Sequence, residues 1–259
     1  MDKGRFLILD VFAEEKYAGN QLAVFMDAAT FSDSDMQRLA KEMNYSESTF
    51  ILTNKEESAG YPVRIFTPAE EVPFAGHPTL GTAYVIHREL IKKPVDGLTL
   101  KLKVGDIPVS FSYQDGKLQT LWMTQKKPVF GEIFESDVIA EMLSLLKQDI
   151  DERFPVQEVS TGLPFIIVPL KSLDSVKKAI VKREQFFDFI KDREVKSVLI
   201  FSSETYLPEH QLNVRVFVDY FGIPEDPATG SANGCLAGYL VKYRYFDIDV
   251  IDITVEQGY

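Results

Sequence analysis

Val63-Arg64-Ile65-Phe66 and Val214-Arg215-Val216-Phe217 are one short motif written twice, 151 residues apart. β-branched and aromatic residues around a single arginine, bounded by polar neighbours, read as a strand. Three more blocks recur in the same order. Ala18-Gly19-Asn20-Gln21-Leu22-Ala23-Val24 resembles Thr161-Gly162-Leu163-Pro164-Phe165-Ile166-Ile167 at an offset of 143, and Ser48-Thr49-Phe50-Ile51-Leu52-Thr53 resembles Ser197-Val198-Leu199-Ile200-Phe201-Ser202 at 149. Gly76-His77-Pro78-Thr79 and Gly230-Ser231-Ala232-Asn233 each open a run of small, helix-compatible residues, 154 apart. The offset grows steadily, as a few loop insertions in the second copy would produce. Generic strand-and-turn likeness accounts for any one block, but four in order predict an internal duplication.

Each copy mixes strands with helices. The expected fold class is therefore α/β (α+β), in two similar domains of residues 1–125 and 126–259, with the last strand free to return to the first. The boundary is the Pro-, Gly- and Lys-rich stretch from Thr124 to Gly131. Ser32 or Ser34 is placed to cap a helix whose apolar residues Met36, Leu39, Ala40 and Met43 fall on one face. A second amphipathic helix is expected over Ser136–Lys147, carrying Val138, Ile139, Met142, Leu145 and Leu146. A third spans Leu173 to Ile190 and should break in the middle. A cleft between two such domains is where a small-molecule site would be expected.

The 259 residues carry 45% hydrophobic and 26% charged side chains, ordinary for a globular protein with a real core. Net charge is −11, which repels phosphate backbones and anionic lipid, so neither nucleic acid nor membrane is an expected partner. Phe6-Leu7-Ile8-Leu9 is too short for a signal-peptide core, and a cytoplasmic location is expected. Cys235, alone of its kind, excludes an internal disulfide, and with only His77, His87 and His210 beside it a closed zinc site is not expected.

Two glycine-containing turns lead into helices. The first runs from Thr67-Pro68 through Phe74-Ala75-Gly76-His77-Pro78, with Pro78 suited to the first helical position and His77 to the cap. The second is Asp226-Pro227-Ala228-Thr229-Gly230-Ser231-Ala232-Asn233-Gly234. Helix starts attract anions, so the pair is readable as a carboxylate site or as two ordinary capped turns. Neither is a phosphate loop, because no Gly-Lys-Ser/Thr follows. Neither is a nucleophile elbow, because the glycines around Ser231 stand at −1 and +3.

Together with Asp10-Val11-Phe12, Gly19-Asn20, Asn44-Tyr45-Ser46-Glu47-Ser48 and Ser160-Thr161-Gly162, these segments resemble the signature segments of the phenazine-biosynthesis-like (PhzF) isomerases, in that family's order. The resemblance implies a diaminopimelate epimerase-like fold, each domain a curved, mostly antiparallel sheet wrapped around a central helix, with the active site between domains. It implies Glu47 as the catalytic acid/base, assisted by His77 and Asp226, with Gly76, Gly230, Ser231 and Asn20 lining the site. It further implies a homodimer, no cofactor, no metal, and a small carboxylate-bearing substrate on which a proton is moved to shift a double bond or invert a centre. The apolar run Phe50-Ile51-Leu52 is expected to bury Glu47 and raise its pKa toward the working pH.

At the offset of 149, Glu47 corresponds to Lys196, while His77 corresponds to Ser231, so the site is expected to be single and asymmetric. Read without the resemblance, Glu47 is an exposed strand-end glutamate, His77 a cap and Asp226 a turn opener. Glu70-Glu71 reads as solvated, Cys235 as packing, and His87 and His210 as without a role. A lone cysteine departs from racemases of related fold, which use two. The family also continues past Glu256-Gln257-Gly258 into a Gly-Arg-Pro strand, which is expected to be missing or shortened here. Two other functions fit the same residues: a binding protein that lost its chemistry, and a lyase or hydrolase using Glu47 and His77.

Overall fold

The computed structural model describes residues 4–13, 16–57 and 59–258, and the chain divides into two compact units, Met1–Gln125 and Lys126–Tyr259. In the first, β1 (Arg5–Val11), β2 (Asn20–Met26), α1 (Asp33–Met43), β3 (Glu47–Ile51), β4 (Tyr61–Phe66), β5 (Glu71–Val72) and α2 (Gly76–Val85) precede β6 (Gly97–Leu102), β7 (Gly105–Gln114) and β8 (Lys117–Met123). The strands pair in the order β1-β2-β3-β4-β6-β7-β8, with β5 beside β4. Only β2–β3 and β4–β6 run parallel. The sheet curls around α2, which touches β1, β2, β3, β6, β7 and β8.

That enclosure explains the helix's composition. An all-round buried helix cannot keep a polar face, and Gly76, His77, Pro78, Thr79, Gly81, Thr82, Ala83 and Val85 are all buried. Small residues let the sheet close in: a Cβ on Gly81 would lie 2.6 Å from Leu22 Cδ2. α1 covers the other face of the sheet. Ser32 caps it by accepting the Asp35 N–H, as expected, and Met36 and Ala40 pack with Phe25, Phe50 and Phe66.

The second unit holds β9 (Val129–Phe134), α3 (Ser136–Met142), β10 (Val156–Ser160), β11 (Pro164–Pro169), α4 (Leu173–Lys178), α5 (Arg183–Ile190), β12 (Val198–Ser202), β13 (Leu212–Val218), β14 (Ile223–Asp226), α6 (Gly230–Lys242) and β15 (Val255–Gln257). Alternation along β12 sends Leu199 and Phe201 toward α6 and Val198 and Ile200 toward α3, α4 and α5. The Leu173–Ile190 pattern is broken between α4 and α5, where Arg215 Nη1 donates to the carbonyls of Val176 and Ala179. The helix expected to reach Lys147 instead ends at Met142. Ser144 adopts a left-handed φ of 58° and the Leu145 N–H reaches back to the Ala140 carbonyl, a left-handed C-terminal stop that the apolar spacing does not announce.

The duplication is borne out element by element. β1-β2-α1-β3-β4-β5-α2 recurs as β10-β11-(α4, α5)-β12-β13-β14-α6, with the same parallel step at β2–β3 and β11–β12. β15 runs parallel to β13 as β6 does to β4, so the last described strand completes the second sheet rather than returning to the first. The ladders also correct the alignment: Arg64 faces Phe50 and Arg215 faces Ile200, so β3 and β12 match one residue later than the blocks suggest. Glu47 therefore corresponds to Ser197, not Lys196. A feature the sequence reading missed repeats as well. Arg64 grips Glu71 through Nε and Nη2 at 2.9 and 3.0 Å, and Arg215 grips Glu225 at 2.8 and 2.7 Å. Glu71 is thus held by a two-pronged ion pair, not left to solvent.

Candidate functional site

Side chains alternate across a strand, so Glu47, Thr49 and Ile51 of β3 share one face, and Phe50 takes the other. Phe50 and Leu52 pack toward α1; the apolar run expected to bury Glu47 lies largely on the wrong side. What Glu47 faces is α2. Thr49 Oγ1 lies 2.8 Å from Thr82 Oγ1 of that helix in a buried hydroxyl pair, and Glu47 Oε2 lies 3.5 Å from His77 Nδ1. The Glu47 side chain keeps 18% of its surface exposed against 3% for His77, so the carboxylate is at the edge of the buried zone and the ring inside it.

His77 is not the cap. The helix begins two residues earlier than expected, with Gly76 at its first position, Ala75 as N-cap and Pro78 still inside the first turn, where a missing N–H costs nothing. That registration turns the His77 ring inward. Burial pushes its pKa down to about 3, against a weaker opposing effect from a hydrogen bond to the Gln21 backbone. At neutral pH the ring is uncharged, and its 3.5 Å approach to Glu47 is a contact of carboxylate with neutral imidazole, not an ion pair. Nε2 is buried and has no hydrogen-bond partner among the described residues. Asn20 opens β2, whose Leu22 pairs with Glu47; two residues apart, Asn20 and Leu22 share the α2-facing side, and Asn20 is 1% exposed. The first unit thus gathers Glu47, His77, Gly76 and Asn20 on one face of its sheet.

In the second unit, Asp226 ends β14 and is 5% exposed. Thr229, the N-cap of α6, donates its hydroxyl to Asp226 Oδ2 at 2.5 Å. Gly230 and Ser231 follow as the first residues of α6, with Ser231 at 3% exposure. Gln257 of β15 reaches across, its Nε2 donating to the Asp226 carbonyl and to Thr229 Oγ1, both at 2.8 Å. The sequence reading quoted Thr229 and Gln257 within longer segments and gave neither a role. Gln257 stands 31 residues from Asp226, and no local pattern connects them.

The two copies have diverged where they carry polar groups. The ladders and helix starts match Glu47, His77 and Asn20 with Ser197, Ser231 and Leu163, while Asp226 matches Val72. Of the candidate acids, Glu47 and Asp226 each stand in one unit and neither is repeated in the other. Elsewhere, His87 Nε2 meets the Tyr113 hydroxyl at 2.9 Å and His210 meets Glu256 at 2.9 Å, both structural ties. Cys235 is fully buried and burial pushes its thiol up, the opposite of a reactive cysteine. Among the described residues no three His, Cys, Asp or Glu side chains gather as metal ligands, and no helix is long and apolar enough to cross a membrane.

The fold is a sheet curled about a central helix, twice over, and its first unit sets a carboxylate against a buried imidazole. Residues 9–259 match the phenazine biosynthesis-like protein family, and the chain belongs to it. It is 36% identical over 240 residues to trans-2,3-dihydro-3-hydroxyanthranilate isomerase of Pseudomonas aeruginosa, covering 93% of this chain and 81% of that protein. The crystal structure of a PhzF-family phenazine biosynthesis protein of Bacillus anthracis superposes with a TM-score of 0.85 at 29% identity, covering 99% of this chain and 87% of the other. A hydroxyproline epimerase of Agrobacterium vitis shares the fold at a TM-score of 0.63 and 11% identity, over 96% and 81% of the two chains. The chain is an isomerase of this family.

Proposed function

We propose that the protein moves a proton between carbons of a small carboxylate-bearing metabolite, with Glu47 as the acid/base and no cofactor. One observation carries the reading. In a chain of an isomerase family, Glu47 is mostly withdrawn from water against a buried, uncharged His77 3.5 Å away. A carbon-bound proton beside a carboxylate is weakly acidic, and its removal needs a positioned base. Glu47 takes the proton from one carbon and returns it to another. A neutral imidazole serves beside it better than a charged one: it leaves the Glu47 carboxylate basic and can pass a proton without first losing one. In the second unit Asp226, Gly230 and Ser231 are the groups we assign to the substrate, Asp226 in proton handling and the helix start in holding negative charge. Gly76 and Asn20 are likewise assigned to substrate binding. We further assign the protein to the cytoplasm as a homodimer, following the prevalence of two-fold assemblies.

The relative's name supplies the first compound to try, trans-2,3-dihydro-3-hydroxyanthranilate, a cyclic hydroxy-amino acid with one carboxylate. Incubated in deuterated water, the wild type should place deuterium on a substrate carbon with no fragment released. Glu47→Gln should lower turnover by about 10²–10⁴-fold and still bind ligand. Full turnover by Glu47→Gln removes the carboxylate from the mechanism, a released fragment marks a lyase, and binding without any exchange marks a binding protein.

A further inference from the structure

We infer that Gln257 is a positioning residue whose side-chain amide commits the Thr229 hydroxyl proton to the Asp226 carboxylate, fixing the direction in which Asp226 is presented. The inference rests on Asp226 acting in the chemistry proposed above.

The hydrogen-bond directions leave little freedom. Gln257 Oε1 accepts from the Thr229 N–H at 2.9 Å and from Asn233 Nδ2 at 3.2 Å. Turning the amide over would set its NH₂ against the backbone N–H of Thr229, so the orientation is decided by the partners. Nε2, a donor only, then faces the Asp226 carbonyl and Thr229 Oγ1. Because the Thr229 oxygen accepts from Gln257, its single proton must go elsewhere, and Asp226 Oδ2 lies 2.5 Å away. One amide thereby holds Asp226 twice, directly at the main chain and through Thr229 at the carboxylate. The arm that carries it is itself anchored. β15 pairs with β13, placing Gln257 beside Val214. The neighbouring Glu256 accepts from the backbone of Tyr206 and Leu207 and from Asn213 Nδ2.

Gln257→Glu tests the idea with an almost unchanged shape. It keeps an acceptor toward Thr229 N–H and Asn233, but sets an oxygen where the donor stood, which draws the Thr229 hydroxyl proton off Asp226. The expected result is a melting temperature lowered by no more than a few degrees, because the Asp226 carbonyl loses its donor, with KM within about threefold of wild type and kcat lower by about tenfold or more. Thr229→Val should reproduce the kcat loss, Thr229→Ser should restore it, and Gln257→Glu should add less than about twofold to Thr229→Val. Wild-type kcat in Gln257→Glu, or losses that multiply in the double variant, overturns the inference. A second readout needs no turnover. In threonine-labelled protein, the Thr229 hydroxyl proton should give an exchange-protected NMR signal whose chemical shift moves in Gln257→Glu as the proton turns from Asp226 to the new carboxylate, and an unmoved signal in that variant overturns the inference equally. Absence of turnover by the wild type counts against the isomerase reading alone, since the hydroxyl signal is read regardless.

Discussion

Replacing His77 with glutamine should make the protein's stability less sensitive to acid, by an amount the structure sets. The folded ring has a pKa of about 3 and the unfolded one about 6.5. Between those values the unfolded chain holds a proton that the folded chain does not, so stability rises with pH across the window. His77 contributes fully above 6.5, and its contribution drains away as pH falls. At pH 5.0 the loss is 1.5 pH units below the unfolded value, about 2 kcal/mol at 1.36 kcal/mol per unit. That figure depends on the unfolded value so long as the folded one lies well below 5. Urea unfolding of both proteins at pH 7.5 and 5.0 is the assay. Wild type should be the more stable at pH 7.5, and its advantage over His77→Gln should shrink by about 2 kcal/mol at pH 5.0. An advantage that grows in acid would mean that Glu47 holds an imidazolium in the folded state. The neutral-ring mechanism would then be wrong.

Two further outcomes follow from packing. Gly81→Val should cost about 1–3 kcal/mol in thermal unfolding, because its Cβ would lie 2.6 Å from Leu22 Cδ2 and 2.9 Å from Val11 Cγ2; an unchanged melting temperature would show that α2 is not tightly enclosed. Arg215→Ala should cost about 3–5 kcal/mol, since the side chain is 8% exposed and also ties down the end of α4. Its counterpart Arg64→Ala, at 24% exposure, should cost about 1–2 kcal/mol; equal losses in urea titrations would undo the distinction between the two copies.

Much of this was open to inspection in the chain. Apolar spacing and caps are local properties, so α1 with its Ser32 cap, the α4–α5 break and the strands of the duplicated blocks could be read from neighbouring residues. Repetition then carried the fold, because two copies that agree in order must agree in topology. The choice of Glu47 came from the resemblance; its own surroundings suggested an exposed strand end.

The rest depended on partners far away in sequence. Block comparison misplaced Glu47's counterpart by one residue because backbone ladders, not side-chain likeness, set strand register. Strand periodicity put Phe50 on the α1 face, so α2, some 30 residues on, is what shelters Glu47. The start of α2 was set by how the sheet encloses it, and that two-residue shift moved His77 from a cap to a buried neutral ring. Gln257 and Thr229 show the same limit. Hydrogen bonds join groups that folding brings together, and nothing in a run of adjacent residues records which distant amide will aim a given carboxylate.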